Sequence, residues 1–220
     1  MKAVIFANGE VCASDLKRDF KDAELLIAAD GGYRHFQSLE TLPDLLIGDL
    51  DSTPKEVQVS WEKRGVTIIR HPEDKDQTDL ELALLYADKR GAAQILVYGA
   101  VGGRLDMTLS NLLLLAHPEI SADLTFLCGD QEVKLIPRGQ SLTIQGKPGD
   151  RVSLIPLGPG TSGISTVNLK YPLDQDELAF GLTRGISNVM DADHAEISLE
   201  EGLLALIHTH TNSKEKNSHV

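Results

Sequence analysis

Cysteine is nearly absent: Cys12 and Cys128 are the two thiols in 220 residues. Two are too few for a disulfide framework or a zinc site, and they read as buried thiols of a reducing cytoplasm. Positive charge is in deficit, with Lys+Arg 21 against Asp+Glu 33 and a net charge of −12. A surface of that sign repels nucleic-acid backbones and anionic membranes, which argues against both as partners. A phosphate compound would need a metal cation as go-between. No apolar run approaches the ~20 residues of a membrane span, and the apolar part of MKAVIFANGE is too short for a secretion signal. The expectation is a cytoplasmic protein. There is also no GxxxxGK[ST], no GxGxxG after the first apolar run and no GxSxG. Those gaps exclude a P-loop and argue against a dinucleotide fold and a nucleophile elbow.

What is present alternates. Short, near-continuous apolar runs at Ala3–Ala7, Leu25–Ala29, Leu45–Ile47, Val66–Ile69, Ile95–Tyr98 and Leu124–Leu127 end in turn residues, as parallel strands buried on both faces do. Helical patterns fall between them at Pro54–Arg64, Thr78–Arg90 and Arg104–His117, the last with Leu105, Leu109, Leu112 and Ala116 along one face. Trp61 reads as a packing residue of the first. This order predicts an α/β domain with a doubly wound, mainly parallel sheet. After Pro137 the texture changes to Ser141–Ile144, Arg151–Pro156, Ser165–Lys170, His194–Leu199 and Leu203–His208, separated by Gly and Pro turns. Such spacing predicts an antiparallel β-sandwich. The expected division is 1–132, 133–210 and a polar tail at 211–220.

In an open α/β sheet, ligands bind beyond the carboxyl ends of the strands. Four successive strand ends carry acids: Asp30; Asp49 and Asp51; Asp74, Asp76 and Asp79; and Asp106 after Gly99, Gly102, Gly103 and Arg104. In an extended Asp49-Leu50-Asp51 both carboxylates face one way, toward a hydrated cation. Magnesium favours that arrangement, since it takes few protein oxygens and leaves room for water and phosphate. Thr78-Asp79-Leu80-Glu81 is a capping box, and a helix N-terminus also favours phosphate. The glycine-rich turn lets backbone approach a ligand, with Arg104 placed to clamp phosphate oxygens. His208-Thr209-His210 puts two imidazoles on one strand face, but no third ligand is near in sequence, and it reads as a plain strand end.

Taken together, AADGG, IGDLDS, DKDQTDLELAL, GAVGGRLD, LKYPL and GISN run in the order seen in the thiamine pyrophosphokinase family, which this chain resembles over almost its whole length. The resemblance implies an α/β domain followed by a β-sandwich, in homodimers with active sites shared between chains. It implies transfer of a pyrophosphoryl group from ATP to thiamine with Mg2+, by in-line attack of the thiamine hydroxyl on the β-phosphorus and departure of AMP. By matching position, Asp49, Asp51 and Asp79 resemble the catalytic and metal carboxylates, with either Asp79 or Asp51 as proton acceptor. Asp30, Asp76, Thr78, Gly102, Gly103, Arg104 and Asp106 resemble the nucleotide side, and Tyr171, Ser187 and Asn188 the thiamine side. Met107, Asn168 and Val189 depart from the usual His, Gly and acidic residue of relatives. Two rival readings stand beside this one: an aspartyl phosphatase or glycosyltransferase using D-x-D, and a non-catalytic thiamine or nucleotide sensor.

Overall fold

The computed structural model describes residues 1–12, 20 and 22–211, which divide into two units, Met1–Gly129 and Asp130–Val220. The first unit holds β1 (Lys2–Phe6), β2 (Leu25–Ala29), α1 (Tyr33–Ser38), β3 (Leu45–Gly48), α2 (Lys55–Lys63) and β4 (Thr67–Arg70). It continues with α3 (Asp79–Lys89), β5 (Gln94–Tyr98), α4 (Leu105–Leu113) and β6 (Asp123–Cys128). These strands lie side by side as β4-β3-β2-β1-β5-β6, and each pairing is parallel. The chain winds outward from β1 to one side, then returns at β5 and winds to the other. The crevice between the ends of β1 and β5 is therefore the switch point where such sheets bind ligands.

β1 is central, and from Ala3 to Phe6 it is buried on both faces, which is why its sequence is continuous rather than alternating. One face carries Val4 and Phe6 in a cluster with Phe36 of α1 and Trp61 of α2. Phe6 meets Phe36 edge-on at 5.0 Å and stacks on Tyr98 at 5.0 Å, while Phe36 meets Trp61 at 6.2 Å. α3 is amphipathic as its spacing predicts, burying Leu80, Ala83, Leu84 and Ala87. α4 is not. Leu105, Leu109 and Leu113 are 70%, 56% and 59% exposed, whereas Asn111 is buried and donates to Ala100 O at 2.8 Å. A helix is set by which face finds a polar anchor as well as by apolar count: of the face expected to pack inward, Leu105 and Leu109 are exposed while Leu112 and Ala116 are half-buried.

The second unit contains β7 (Gln131–Pro137), β8 (Ser141–Gln145), β9 (Arg151–Pro156), β10 (Ser165–Val167), β11 (Asn188–Val189), β12 (His194–Ser198) and β13 (Leu203–Thr209). They form two antiparallel sheets, β11-β9-β13-β7 and β10-β12-β8. Ile136, Val152, Leu154, Leu204 and Leu206 from one sheet share a core with Ile144, Ala195 and Ile197 from the other. That is the expected sandwich. β10 is shorter than its sequence run, because Asn168 takes a left-handed backbone (φ 62°) that an extended strand cannot continue through. β7 lay hidden in the expected boundary region, where its alternating QEVKLIP has charged residues on the partly exposed positions. The segment 212–220 of the expected tail lies outside the described residues. Thr211 is tied down: its N–H and hydroxyl both donate to Asp150 Oδ1 at 2.9 Å.

One surface carboxylate fastens the entry to β6. Asp88 on α3 accepts the N–H groups of Ser121 and Ala122 at 2.9 and 3.0 Å and the Ser121 hydroxyl at 3.0 Å. Desolvation works to raise its pKa, but these donors outweigh it and hold the carboxyl below its ordinary 3.8. A depressed carboxylate stabilises the fold above the unfolded pKa and loses that effect as pH falls through the folded one. Asp88→Ala should therefore cost about 1 kcal/mol at neutral pH, after discounting for solvent screening. In urea melts the gap from wild type should close as pH falls below 3.8.

Candidate active site

The loops after β1, β2, β3 and β5 and the first turns of α3 and α4 enclose a cavity of about 490 Å3 at the switch point. A hollow of similar size, about 500 Å3, lies beside Phe36 and Trp61. Only the first contains a group of converging carboxylates among the described residues. Its floor depends on close backbone approach. Gly9 N–H donates to Gly99 O at 2.8 Å, and a side chain at Gly9 would lie 2.2 Å from Val101 O. Glycine at 9 and at 99 (φ 70°) is therefore a steric requirement of the crossing of these two loops.

Asp30, Asp49 and Asp79 bring one carboxylate oxygen each to within 4.8 Å of one another. Asp30, at 4% exposure, holds a left-handed backbone (φ 35°) and accepts the Thr53 hydroxyl at 3.0 Å. Asp79 opens α3, whose N-cap Thr78 accepts Glu81 N–H at 3.2 Å as the capping box requires. Glu81's own carboxylate faces His117 at 3.4 Å. Between the acids stands Lys75, whose ammonium is 3.1 Å from Asp49 Oδ2 and 3.1 Å from Asp79 Oδ1.

These neighbours set the ionisation. Burial pushes the Asp79 pKa up, and Lys75 offsets that only in part. Burial acts the same way on Asp49, but the Asp51 N–H and Lys75 outweigh it and hold Asp49 low. Lys75 is raised, since its two carboxylate partners outweigh its own desolvation. A site that already seats one ammonium between buried acids attracts cations. Three hard oxygen donors with adjoining open volume suit Mg2+ rather than a late transition metal.

The expected parallel pair at Asp49 and Asp51 is corrected. Leu50 is left-handed (φ 64°), so the segment is not extended and alternation does not apply. Asp51 instead donates its N–H to Asp49 Oδ1 at 3.1 Å, and its carboxylate accepts the Ser52 hydroxyl at 2.9 Å. It lines the same cavity without joining the three-acid cluster. Gly102, Gly103, Arg104, Met107 and Thr108 line the opposite wall. Arg104 is exposed and forms a two-point pair with Asp106, at 3.2 and 2.7 Å. Asp76 is exposed and outside the lining, as is Asp74. In the second unit, Asn188 is buried; its Oδ1 accepts Tyr171 N–H at 3.0 Å and its Nδ2 donates to Tyr171 O at 2.7 Å. It thus positions Tyr171, a residue that is 61% exposed. Ser187 is left-handed (φ 61°) and donates its N–H to Ser153 Oγ at 3.0 Å.

Sequence reasoning missed Lys75, Asn8 and Arg34. Arg34 donates to Asn8 O at 3.0 Å and also to the Asn8 side chain, and both residues line the cavity. A signal existed for Asn8, because it follows the first strand and the strand-end rule applies there equally. Lys75 had none beyond its place among aspartates.

Gly48 is the hinge of the cluster. A Cβ there would lie 2.9 Å from Asp79 Cγ and 3.0 Å from Asp30 Cβ, and φ is 146°. Gly48→Ala should cost about 1–3 kcal/mol of stability through backbone strain. It should also weaken divalent-cation binding about tenfold or more by spreading the acids, as disturbed supporting shells do. Thermal melts and calorimetric titration with Mn2+ check the two effects separately.

Comparison with known proteins agrees with this geometry. Residues 16–126 match the family described as thiamin pyrophosphokinase, catalytic domain, and residues 139–204 match thiamin pyrophosphokinase, vitamin B1 binding domain. A thiamine pyrophosphokinase of Oryza sativa subsp. japonica is 27% identical over 206 residues, covering 83% of this chain and 78% of its own. That of Bacillus subtilis is 27% identical over 185 residues, covering 83% and 86%. The crystal structure of the Bacillus subtilis thiamine pyrophosphokinase superposes with a TM-score of 0.85 at 23% identity, over 96% of this chain and 100% of that one. The Geobacillus thermodenitrificans structure superposes at 0.83 and 25%, over 97% and 99%. With its first unit matched as catalytic domain and its second as vitamin B1 binding domain, the chain belongs to the thiamin pyrophosphokinase family.

Proposed function

We propose that this chain transfers the pyrophosphoryl group of ATP to the hydroxyl of thiamine, giving thiamine diphosphate and AMP. The observation that carries the reading is the convergence of Asp30, Asp49 and Asp79 beside the glycine-lined switch-point cavity, in a chain matched along both domains. Asp30, Asp49 and Asp79 would hold Mg2+, which when bound neutralises phosphate charge. The chain's own residues do the rest. The 99–103 turn lets the backbone approach the phosphates, and Arg104, exposed at the cavity wall, exchanges Asp106 for phosphate oxygens. Asp51, solvated and outside the acid cluster, is our choice for the hydroxyl-proton acceptor, since Asp79 would be engaged by Lys75 or by the cation that replaces it. Catalysis is then mainly positioning and charge neutralisation. Tyr171, held by Asn188, and Ser187 receive thiamine. The protein works in the cytoplasm, without nucleic-acid or membrane partners. Among the described residues no helix is long and apolar enough to cross a membrane.

Incubation with ATP, Mg2+ and thiamine should release AMP and thiamine diphosphate in equal amounts. Asp49→Asn should lower turnover ~10²-fold or more, the order seen when one preorganised electrostatic contact is lost. Binding of both compounds without AMP would make the chain a sensor and sink the enzymatic reading.

A homodimer with shared active sites is part of the same proposal. It is supported by the exposed leucines of α4 and by Val167, Tyr171, Phe180, Leu182 and Ile186 in the second unit, large side chains that are 45–70% exposed. Mixing Asp51→Asn chains with Ser187→Ala chains should restore part of the activity lost in each. Confirmed heterodimers without recovery would mean that each site is built within one chain.

A further inference from the structure

β13 continues its core-facing side, Leu204 and Leu206, into His208, and His208 is 1% exposed. Its antiparallel register with β7 sets His208 opposite Glu132, and the same ladder goes on past the strand end, with His210 N–H donating to Asp130 O at 2.9 Å. On the other side β13 pairs with β9, Thr209 opposite Arg151, so one further step brings His210 beside Asp150. Alternation keeps residues 208 and 210 on one face. Two imidazoles and two carboxylates thus meet at one end of the sandwich, drawn from segments as far as 78 residues apart.

Glu132, His208 and His210 each present one ligand atom within 4.8 Å of the others. The two rings lie 4.1 Å apart between centroids, tilted by 54°. Three nitrogen–oxygen approaches tie the rings to the two carboxylates. His208 Nε2 is 3.3 Å from Asp150 Oδ2, His210 Nε2 is 3.0 Å from Glu132 Oε1, and His210 Nδ1 is 3.7 Å from Asp150 Oδ2. The first two are within hydrogen-bonding distance, so Asp150 and Glu132 each hold one ring in place, and the third is a longer electrostatic approach. Asp150 Oδ2 also takes Lys147 N–H at 3.1 Å, which fixes the carboxylate in place as an orienting partner.

We propose that Glu132, His208 and His210 form a second divalent-metal site in the sandwich unit, selective for a late first-row ion of the zinc class. Two nitrogens and one carboxylate oxygen suit Zn2+ or Co2+, in contrast to the all-oxygen cluster that suits Mg2+. Tetrahedral coordination at the usual bond lengths puts ligand atoms about 3.4 Å apart, so the trio closes by side-chain adjustment of about an ångström. Asp150 plays the part of the carboxylate that orients a ligating imidazole. His210 and Glu132 are 29% and 31% exposed, leaving an approach for the ion and a position for water. A bound ion would pin the start of β7 to the end of β13.

Co2+ is the probe, titrated into the full-length, tag-free protein in excess Mg2+ so that the acidic cluster is occupied. The expected result is a saturable visible ligand-field band at one equivalent, abolished by Zn2+. His210→Ala should weaken Co2+ binding at least about tenfold, and Glu132→Gln should do likewise in case one variant folds poorly, with circular dichroism confirming each fold. Asp49→Asn should leave the band unchanged. Zn2+ should raise the Tm of wild type and not of His210→Ala. Absence of a saturable band in wild type, or equal binding by folded His210→Ala and Glu132→Gln, overturns the proposal and leaves the cluster as hydrogen bonds alone.

Discussion

Three carboxylates cannot share a few ångströms of partly buried space unless something positive stands among them. At the separations of Asp30, Asp49 and Asp79, each like-charged pair repels by about 1 kcal/mol in water and by several times more at lower effective dielectric. Two features of the chain meet that demand. Gly48 removes the side chain that would force Asp30 and Asp79 apart, and Lys75 sits 3.1 Å from both Asp49 and Asp79. Three strands, the cap of α3 and the loop to α2 all have to be placed for this one juxtaposition to exist. Thr53, just before α2, spends its hydroxyl holding Asp30.

The same electrostatic arrangement links the resting protein to the loaded one. Lys75 serves as an internal counter-cation at the place where a divalent ion would sit, so the acids remain gathered whether or not an ion is present. On the proposed function, metal and lysine would compete for Asp49 and Asp79, and cation binding would be an exchange rather than an addition. The open wall, with its glycine turn and the exposed Arg104–Asp106 pair, is uncommitted by comparison. Rigid acids on one wall and adaptable donors on the other are what positioning a charged, flexible triphosphate requires.

The second unit makes the contrast in donor chemistry clear. Its core is ordinary sandwich packing, yet the inner face of β13 ends in an imidazole where another aliphatic side chain would extend the core. Burial of His208 against Asp150 is tolerated because the carboxylate is itself saturated by Thr211 and Lys147 donors. If both proposed sites bind as argued, oxygen-only and nitrogen–oxygen clusters in one chain would sort hard from borderline cations without any cysteine.

The parallel sheet, the sandwich and the acidic edge were readable because each rests on local pattern: continuous apolar runs, turn residues, a capping box and charge at strand ends. The face on which a side chain lands was not always readable. Leu50 turns left-handed, so Asp51 parts from Asp49 although two-residue spacing puts them together. Asn111 anchors α4 by one hydrogen bond, and a leucine stripe faces out. Lys75 looks like any solvated lysine until the packing of β3 against α3 brings Asp49 to Asp79. His208 and His210 lacked a third ligand in sequence, and the register of β7 with β13 supplied Glu132. The sequence by itself determined which elements form and which chemical groups stand at their ends, because both follow from neighbours a few residues apart. Only the tertiary structure decided which of those groups meet, because that depends on register, left-handed turns and glycine contacts between segments distant in the chain.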